Sequence, residues 1–442
     1  MRLRSIHAAK LPMVLSVALC LILWGGPAWA MIDGIPGPSF SLTAKADHIS
    51  TPDGGSVYFW GYADGDGRAQ YPGPTFIVNQ GDEVTVTLTN QLPYGQNASI
   101  LFPGHVVSTQ GGTAGLITDE APPGGTVEYT FTATHAGTYL YHSGTHPELQ
   151  VEMGLLGAII VRPTGFDASH PTAYGHPDSM YDQEYLFLLS EMDPRLHQLV
   201  EFQGPAALED TNYLSDYFPN YWFINGRCAP DTMLMPGVDW LPTQPYDSMP
   251  MMQPGQRLLL RIIGAGRDLH PFHHHGNHSR VIARNGRLLQ SEAGAGADLS
   301  YEVFTLQSVP GETADAIFGW TGKGMGWDIY GDPNDPDYAH MCMDMDGDGF
   351  DDNTWEWCAD HGKPFPVALP QDLDLTFGGF WSGSPFLGRM EALPPGEGGL
   401  NPYGGFVYMW HSHTEKEMVN YDIFPGGMMT MLIVNPPGAP MH

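Results

Sequence analysis

Read by its apolar and polar positions, the chain is a succession of short β-rich runs broken by Gly, Pro, Asn and Asp. The first set is SVYFWGY, EVTVTLTN, TVEYTFTA, GTYLYHS and GAIIV. The second is EYLFLLS, YWFING, QRLLLRII, SRVIARNGRLL, VFTLQSV, FVYMWHSH and MMTMLIV. Helical periodicity is scarce. Runs of this length at this spacing predict an all-β molecule made of sandwiches or barrels. Asn285-Gly286, between VIAR and RLL, predicts a hairpin turn. Segment 166–178 mixes Pro, Gly, His and Asp without periodicity and reads as a linker. It separates an N-terminal domain over 31–165 from a C-terminal domain over 179–442. A second irregular stretch, about 320–402, exceeds an ordinary connection and is expected to be an inserted, partly structured loop.

Residues 1–30 stand apart from this pattern. Arg2, Arg4 and Lys10 flank a short apolar run from Leu11 to Trp24, and Ala28-Trp29-Ala30 is a small-x-small signal. The segment is expected to be a secretory signal peptide, too short for a membrane span. The protein is then exported, to a periplasm or the exterior. A net charge of −31 argues against nucleic acid or an anionic membrane as partner. Outside the leader the cysteines are Cys228, Cys342 and Cys358. Export allows a Cys342–Cys358 disulfide, and none of the three has metal-cluster spacing with another. Transition-metal chemistry must therefore rest on 19 histidines and 22 methionines.

The histidines fall in four stretches: ASILFPGHVV, YLYHSGTHPELQVEMGLLGAIIV, LHPFHHHGNH and MWHSHTEKEM. Side chains on a strand alternate faces. His273 and His275 therefore share a face, as do His411 and His413, and Ser412 points the other way. Neutral imidazole is a good ligand for copper and zinc. One His-x-His says little, because chance histidines on a polar strand look the same. Two such pairs in one half and a His-x₃-His in the other say more.

The chain resembles the multicopper oxidase family, which is built of cupredoxin domains. YPGPTFIVNQGDEVTVTLTN is similar to that family's opening strands, and GTYLYHS…Q…GLLGAIIV to the end of its first domain. HPFHHHGNH is similar to its His-Pro-x-His-x-His-Gly motif, and WHSHTEKEM…GGMM stands where the family has His-Cys-His followed by a histidine and a methionine. The resemblance implies two cupredoxin-like Greek-key domains and a copper centre between domains or subunits. It carries His142, His273, His275, His411 and His413 over as copper ligands, with His146 in place of a family ligand at Gly144. His105 and His278 are further candidates. His270 matches a blue-copper histidine. The departures concern that same blue site: Ser412 replaces the thiolate ligand, and Glu417 stands where its second histidine should be. Without a soft thiolate that site type cannot form. Leu101 to Gly104 also replaces a His-x-His-Gly, which removes two cluster ligands.

By this resemblance the residues that point into the domain are changed, and those that point toward the interface are largely kept. Six histidines suffice for one or two coppers. The expectation is an exported copper oxidoreductase that uses an interface centre without blue copper. It would act on a small molecule or oxygen, as a homotrimer by family analogy. Non-catalytic copper sequestration or a structural role is the alternative. Methionine clusters, among them Met341, Met343 and Met345, suit Cu(I) or a flexible core equally. Asp344, Asp346, Asp348 and Asp352 resemble the start of a calcium loop, though its twelfth position is Trp355. No nucleophile elbow surrounds Ser412, which disfavours serine hydrolysis.

Overall fold

The structure, a computed structural model, describes residues 32–209, 211–324, 326, 328, 341–353, 355–363 and 406–435. The expected signal segment and most of the expected loop, 329–340 and 364–402, lie outside the described residues.

The fold is all-β, with two sandwich units of the cupredoxin kind. In the first, one sheet runs in the order Ser56–Asp64, Ser39–Ser50, Glu83–Asn90, Thr126–Thr132, Val107–Gly111. The facing sheet runs Ile35–Pro36, Gly73–Asn79, Leu156–Arg162, Gly137–His142. Glu83–Asn90 shows why these runs are strands. Val84, Val86 and Leu88 are buried, while the residues between them are not. That buried row packs on Phe40, Phe76, Tyr129 and Phe131 in one core.

In the second unit one sheet runs Tyr221–Ile224, Gln183–Met192, Arg257–Gly264, Thr313–Gly319, Ser279–Arg284, Arg287–Leu288. The other runs Met251–Met252, Met429–Val434, Phe406–Ser412, His270–His274, Thr305–Ser308. Asn285 and Gly286 both have positive φ, 50° and 66°, as the two-residue turn between Arg284 and Arg287 requires. Cys342 and Cys358 form a disulfide, and Cys228 is free and buried.

Among the elements that escape the pattern reading are Val107–Gly111, Ser39–Ser50 and Pro194–Gln203. Ser39–Ser50 is a strand whose later half carries Lys45, Asp47 and His48, which blur its alternation. Pro194–Gln203 is a helix with its start and stop written locally. Asp193 caps it by accepting the Arg195 N–H at 3.1 Å, Pro194 opens it, and Gly204 closes it at φ 80°. Its Leu196 and Val200 bury into the first unit's core, so this segment completes a core it does not belong to in sequence.

The units meet over a buried layer that includes Phe59, Tyr71 and Leu140 from one and Leu188, Phe223 and Ile263 from the other. Beside it lies a buried ionic network. Arg162 forks onto Glu184, and Arg261 Nε donates to Glu184 Oε2 at 2.9 Å. Arg261 Nη1 reaches Thr138 Oγ1 at 3.0 Å, and Thr138 in turn donates to Asp315 Oδ1 at 2.6 Å. Burial opposes the charge of Glu184, but the two arginines outweigh it and hold its carboxyl below the usual range. Removing one partner strands a buried charge, so Glu184→Ala should cost about 3–5 kcal/mol of unfolding free energy. Denaturant titration checks this, and a loss below about 1 kcal/mol would place the network among weak surface-type pairs.

Candidate metal centre

His270–His274 and Phe406–Ser412 lie side by side and antiparallel. Their register sets Phe272 against Ser412, His273 against His411, and His274 against Trp410. Directly opposed residues share a face, so His273 and His411 project together. Just beyond the paired segment, the His275 N–H points at Met409 O, 3.4 Å away, and the His413 N–H donates to Pro271 O at 2.8 Å. These contacts bring the outer histidines to the same edge. Ligand atoms of His273, His275 and His411 lie within 4.8 Å of one another. The His275 and His411 Nε2 atoms are 3.3 Å apart. His413 flanks the group, its ring 5.0 Å from that of His273.

The rings are held in orientation from behind. His411 Nδ1 bonds the carbonyl oxygen of Ser412 at 2.8 Å, and His273 Nδ1 bonds Thr305 Oγ1 at 3.0 Å. A ring bonded through one nitrogen offers the other, which is how ligating histidines are normally set. Burial, together with the neighbouring rings, pushes His273 and His275 down to about 4 and lowers His411 as well. At neutral pH all three are therefore neutral, with a lone pair available. Convergent, neutral, pre-oriented imidazoles fit copper.

The other candidates are placed elsewhere. His142 Nδ1 bonds Ser143 O at 2.9 Å, the same back-support as His411, but on the first unit. His146 sits in a left-handed turn at φ 42°, exposed beside Glu148. Neither joins the group formed by His273, His275 and His411 within one chain. His105 is enclosed by Phe131 and Tyr139, and burial drops it to about 4. His278 lies edge-on to Phe304, which lies edge-on to His273. His274 faces the core and bonds Ser279 Oγ at 2.8 Å. In the acidic loop, oxygens of Asp344, Asp346 and Asp348 gather within 4.8 Å, all exposed, and Asp352 is outside that group. Asp352 instead accepts the Met345 N–H at 3.0 Å.

The inward face holds what the sequence could not show. His270, a candidate copper ligand by resemblance, is bonded at both nitrogens. Its Nδ1 donates to Glu417 Oε2 at 2.9 Å and its Nε2 to Glu191 Oε2 at 2.8 Å. Ser412 Oγ donates to the same Glu417 oxygen at 2.6 Å. All four side chains are buried. Two carboxylates on opposite sides of one ring cannot converge on an ion, so this is an ion triad and no coordination sphere. Burial alone would lower His270, but the bonds and charges of Glu191 and Glu417 outweigh it and raise it to about 9. Glu191 pays for its own burial through bonds from His270 and the Arg267 and Asp268 N–H groups, which hold it below the usual range. A signal did exist: Glu191 is a lone carboxylate in the apolar run YLFLLSEM.

The fold is of the cupredoxin type, and two His-x-His pairs stand at the ends of neighbouring strands of one of its sheets. The sequence profile of the family described as multicopper oxidase matches residues 45–165. An L-ascorbate oxidase of Cucumis sativus is 35% identical over 129 residues, 28% of this chain and 20% of that protein. An iron transport multicopper oxidase of Epichloe festucae is 29% identical over 174 residues, 38% of this chain and 26% of that protein. The chain thus spans about a quarter or less of these relatives. A blue copper oxidase of Nitrosomonas europaea shares the fold, with TM-score 0.55 and 19% identity over 89% of this chain and 85% of that one. Residues 45–165 thus match a multicopper oxidase domain, and the described chain has the fold of such a solved structure.

The triad has a pH signature. A pKa raised from 6.5 to about 9 means the folded state holds a proton that the unfolded state releases. This contribution is complete below about 6.5 and is lost as pH rises through about 9, with a slope near 1.4 kcal/mol per pH unit in between. Unfolding of metal-free protein between those limits should show the slope, and Glu191→Gln/Glu417→Gln should remove it. An unchanged slope in the double variant would assign it to another group.

Proposed function

We propose that this protein is an exported copper-dependent oxidoreductase that works without a blue copper. His273, His275, His411 and His413 would hold one or two copper ions. The observation that carries this is the convergence of three neutral imidazoles whose back nitrogens are partly tied. Bound copper would supply one-electron redox chemistry and a position open to a small oxidant. The chain's own part is to keep the imidazoles neutral and aimed, and to seal the core behind Ser412 with the ion triad. With no thiolate at Ser412, a substrate must reach the histidine centre itself, which argues against broad phenol oxidation.

His142 and His146 would complete the ligand set from a second copy, within a homotrimer. The support is that one chain leaves them outside the group. Export is supported by the leader-like residues 1–30 and by the Cys342–Cys358 disulfide, a bond of oxidising compartments. No described helix is long and apolar enough to cross a membrane. The acidic loop suits calcium as an accessory ion.

A second reading, copper sequestration without turnover, is favoured by Met341, Met343 and Met345, all exposed at alternate positions. Thioethers there would suit Cu(I).

Copper-loaded protein should retain metal through gel filtration and lack the intense band near about 600 nm of a thiolate site. His273→Ala should lose most of that copper while keeping its melting temperature within a few degrees. Copper retained in full by this variant would put the site elsewhere. Oxygen uptake with a small reductant separates the two readings: turnover supports the oxidoreductase, and bound copper without uptake supports sequestration.

A further inference from the structure

A cavity of about 450 Å³ lies between the second unit and the disulfide-closed segment. Three of the chain's 18 lysines and arginines line it: Arg257, Arg280 and Lys323. Among the described residues, none of the three forms an ion pair through its side chain. Arg257 rests on the Trp355 ring, 5.1 Å from its centroid. Lys323 rests on Phe350 and Trp357, at 5.1 and 4.5 Å. Arg280 donates to Asp178 O at 2.9 Å and reaches Ser300 Oγ at 3.5 Å. Asp182 lies near Arg257, but it takes the backbone N–H and not the guanidinium.

The difference matters electrostatically. A carboxylate neutralises the cation it pairs with. An aromatic face positions a cation and leaves its charge in place. In a chain of net charge −31, a cation whose side chain is bound to no carboxylate keeps charge to offer a ligand, although Asp182 feels the charge of Arg257. Asp178 and Glu302 also line the cavity. Glu302 is exposed, and Asp178 Oδ2 is taken by the Ala297 N–H at 2.9 Å. The remaining wall is partly apolar, with Met180, Ile317 and Trp320. A cavity of this size far exceeds an inorganic ion and lies in the range of organic ligands.

We infer that this cavity binds a small organic carboxylate, its charge on Arg257, Arg280 and Lys323 and its apolar body against the aromatic wall. Its His278 is separated from His273 by one ring, that of Phe304. The occupant would therefore sit beside the histidine group without touching it. The site stands independently of the copper reading.

Isothermal titration of the full chain tests this, with benzoate, benzyl alcohol and inorganic phosphate as probes. Benzoate should bind, and both other probes should bind roughly tenfold more weakly or worse. Arg257→Gln/Lys323→Gln should weaken benzoate by roughly tenfold or more. Lys323→Gln alone, at an exposed position that cannot unfold the chain, should weaken it measurably, and Lys323→Arg should restore it. His273→Ala should leave benzoate binding unchanged, so that failure of the copper site and failure of this one are told apart. Absence of benzoate binding, equal binding of benzyl alcohol or phosphate, or equal affinity in Lys323→Gln would each overturn the inference.

Discussion

One cross-strand register governs the candidate copper centre. Setting His273 against His411 puts these two histidines on one face, and His275 and His413 follow at the same edge. The intervening residues, Phe272, Trp410 and Ser412, go into the core, where Phe187, Phe318 and Met428 pack in the same cluster as the two aromatic rings. A slip of one residue would exchange the faces, burying imidazoles and exposing Phe272. The apolar side thus enforces the geometry of the polar side. Trp410 takes part in both: its ring is core, and its Nε1 donates to His275 O at 2.9 Å.

The inward face is satisfied by charged groups of the protein itself. A thiolate, two imidazoles and a metal ion form a compact, charge-compensated group inside a sandwich. With Ser412 and Glu417 at two of those places, the pocket needs another way to satisfy His270. Glu191, from the facing sheet, provides it. The imidazolium between two carboxylates keeps a similar charge balance without a metal, and Ser412 supplies one further donor. Such buried charge adds little net stability compared with apolar packing. The serine's own carbonyl meanwhile orients His411.

The two units share buried apolar and ionic contacts. Apolar contacts, the Arg162–Glu184–Arg261 network and the helix Pro194–Gln203 tie them into one body. Within that body the histidines of the first unit stay apart from those of the second. The disulfide-closed segment borders a cation-lined cavity near the same edge.

What the sequence by itself determined is whatever follows from short-range pattern. The strands Glu83–Asn90 and Phe406–Ser412, the Asn285-Gly286 turn, and the shared face of His411 and His413 all follow from period-two alternation and turn chemistry. The absence of a thiolate at Ser412 is equally local. The strand Ser39–Ser50 was illegible because charged residues on its exposed half hide the period, and the helix Pro194–Gln203 because only its caps, and no strong apolar stripe, announce it. Tertiary structure alone decided which histidines meet. Glu191 and Glu417 are far from His270 in sequence: the facing sheet brings Glu191, and the turn after the neighbouring strand brings Glu417. The same holds for Arg257, Arg280 and Lys323, scattered along the chain and gathered at one cavity. Spacing along a strand fixes direction, but convergence depends on which strands the core brings side by side.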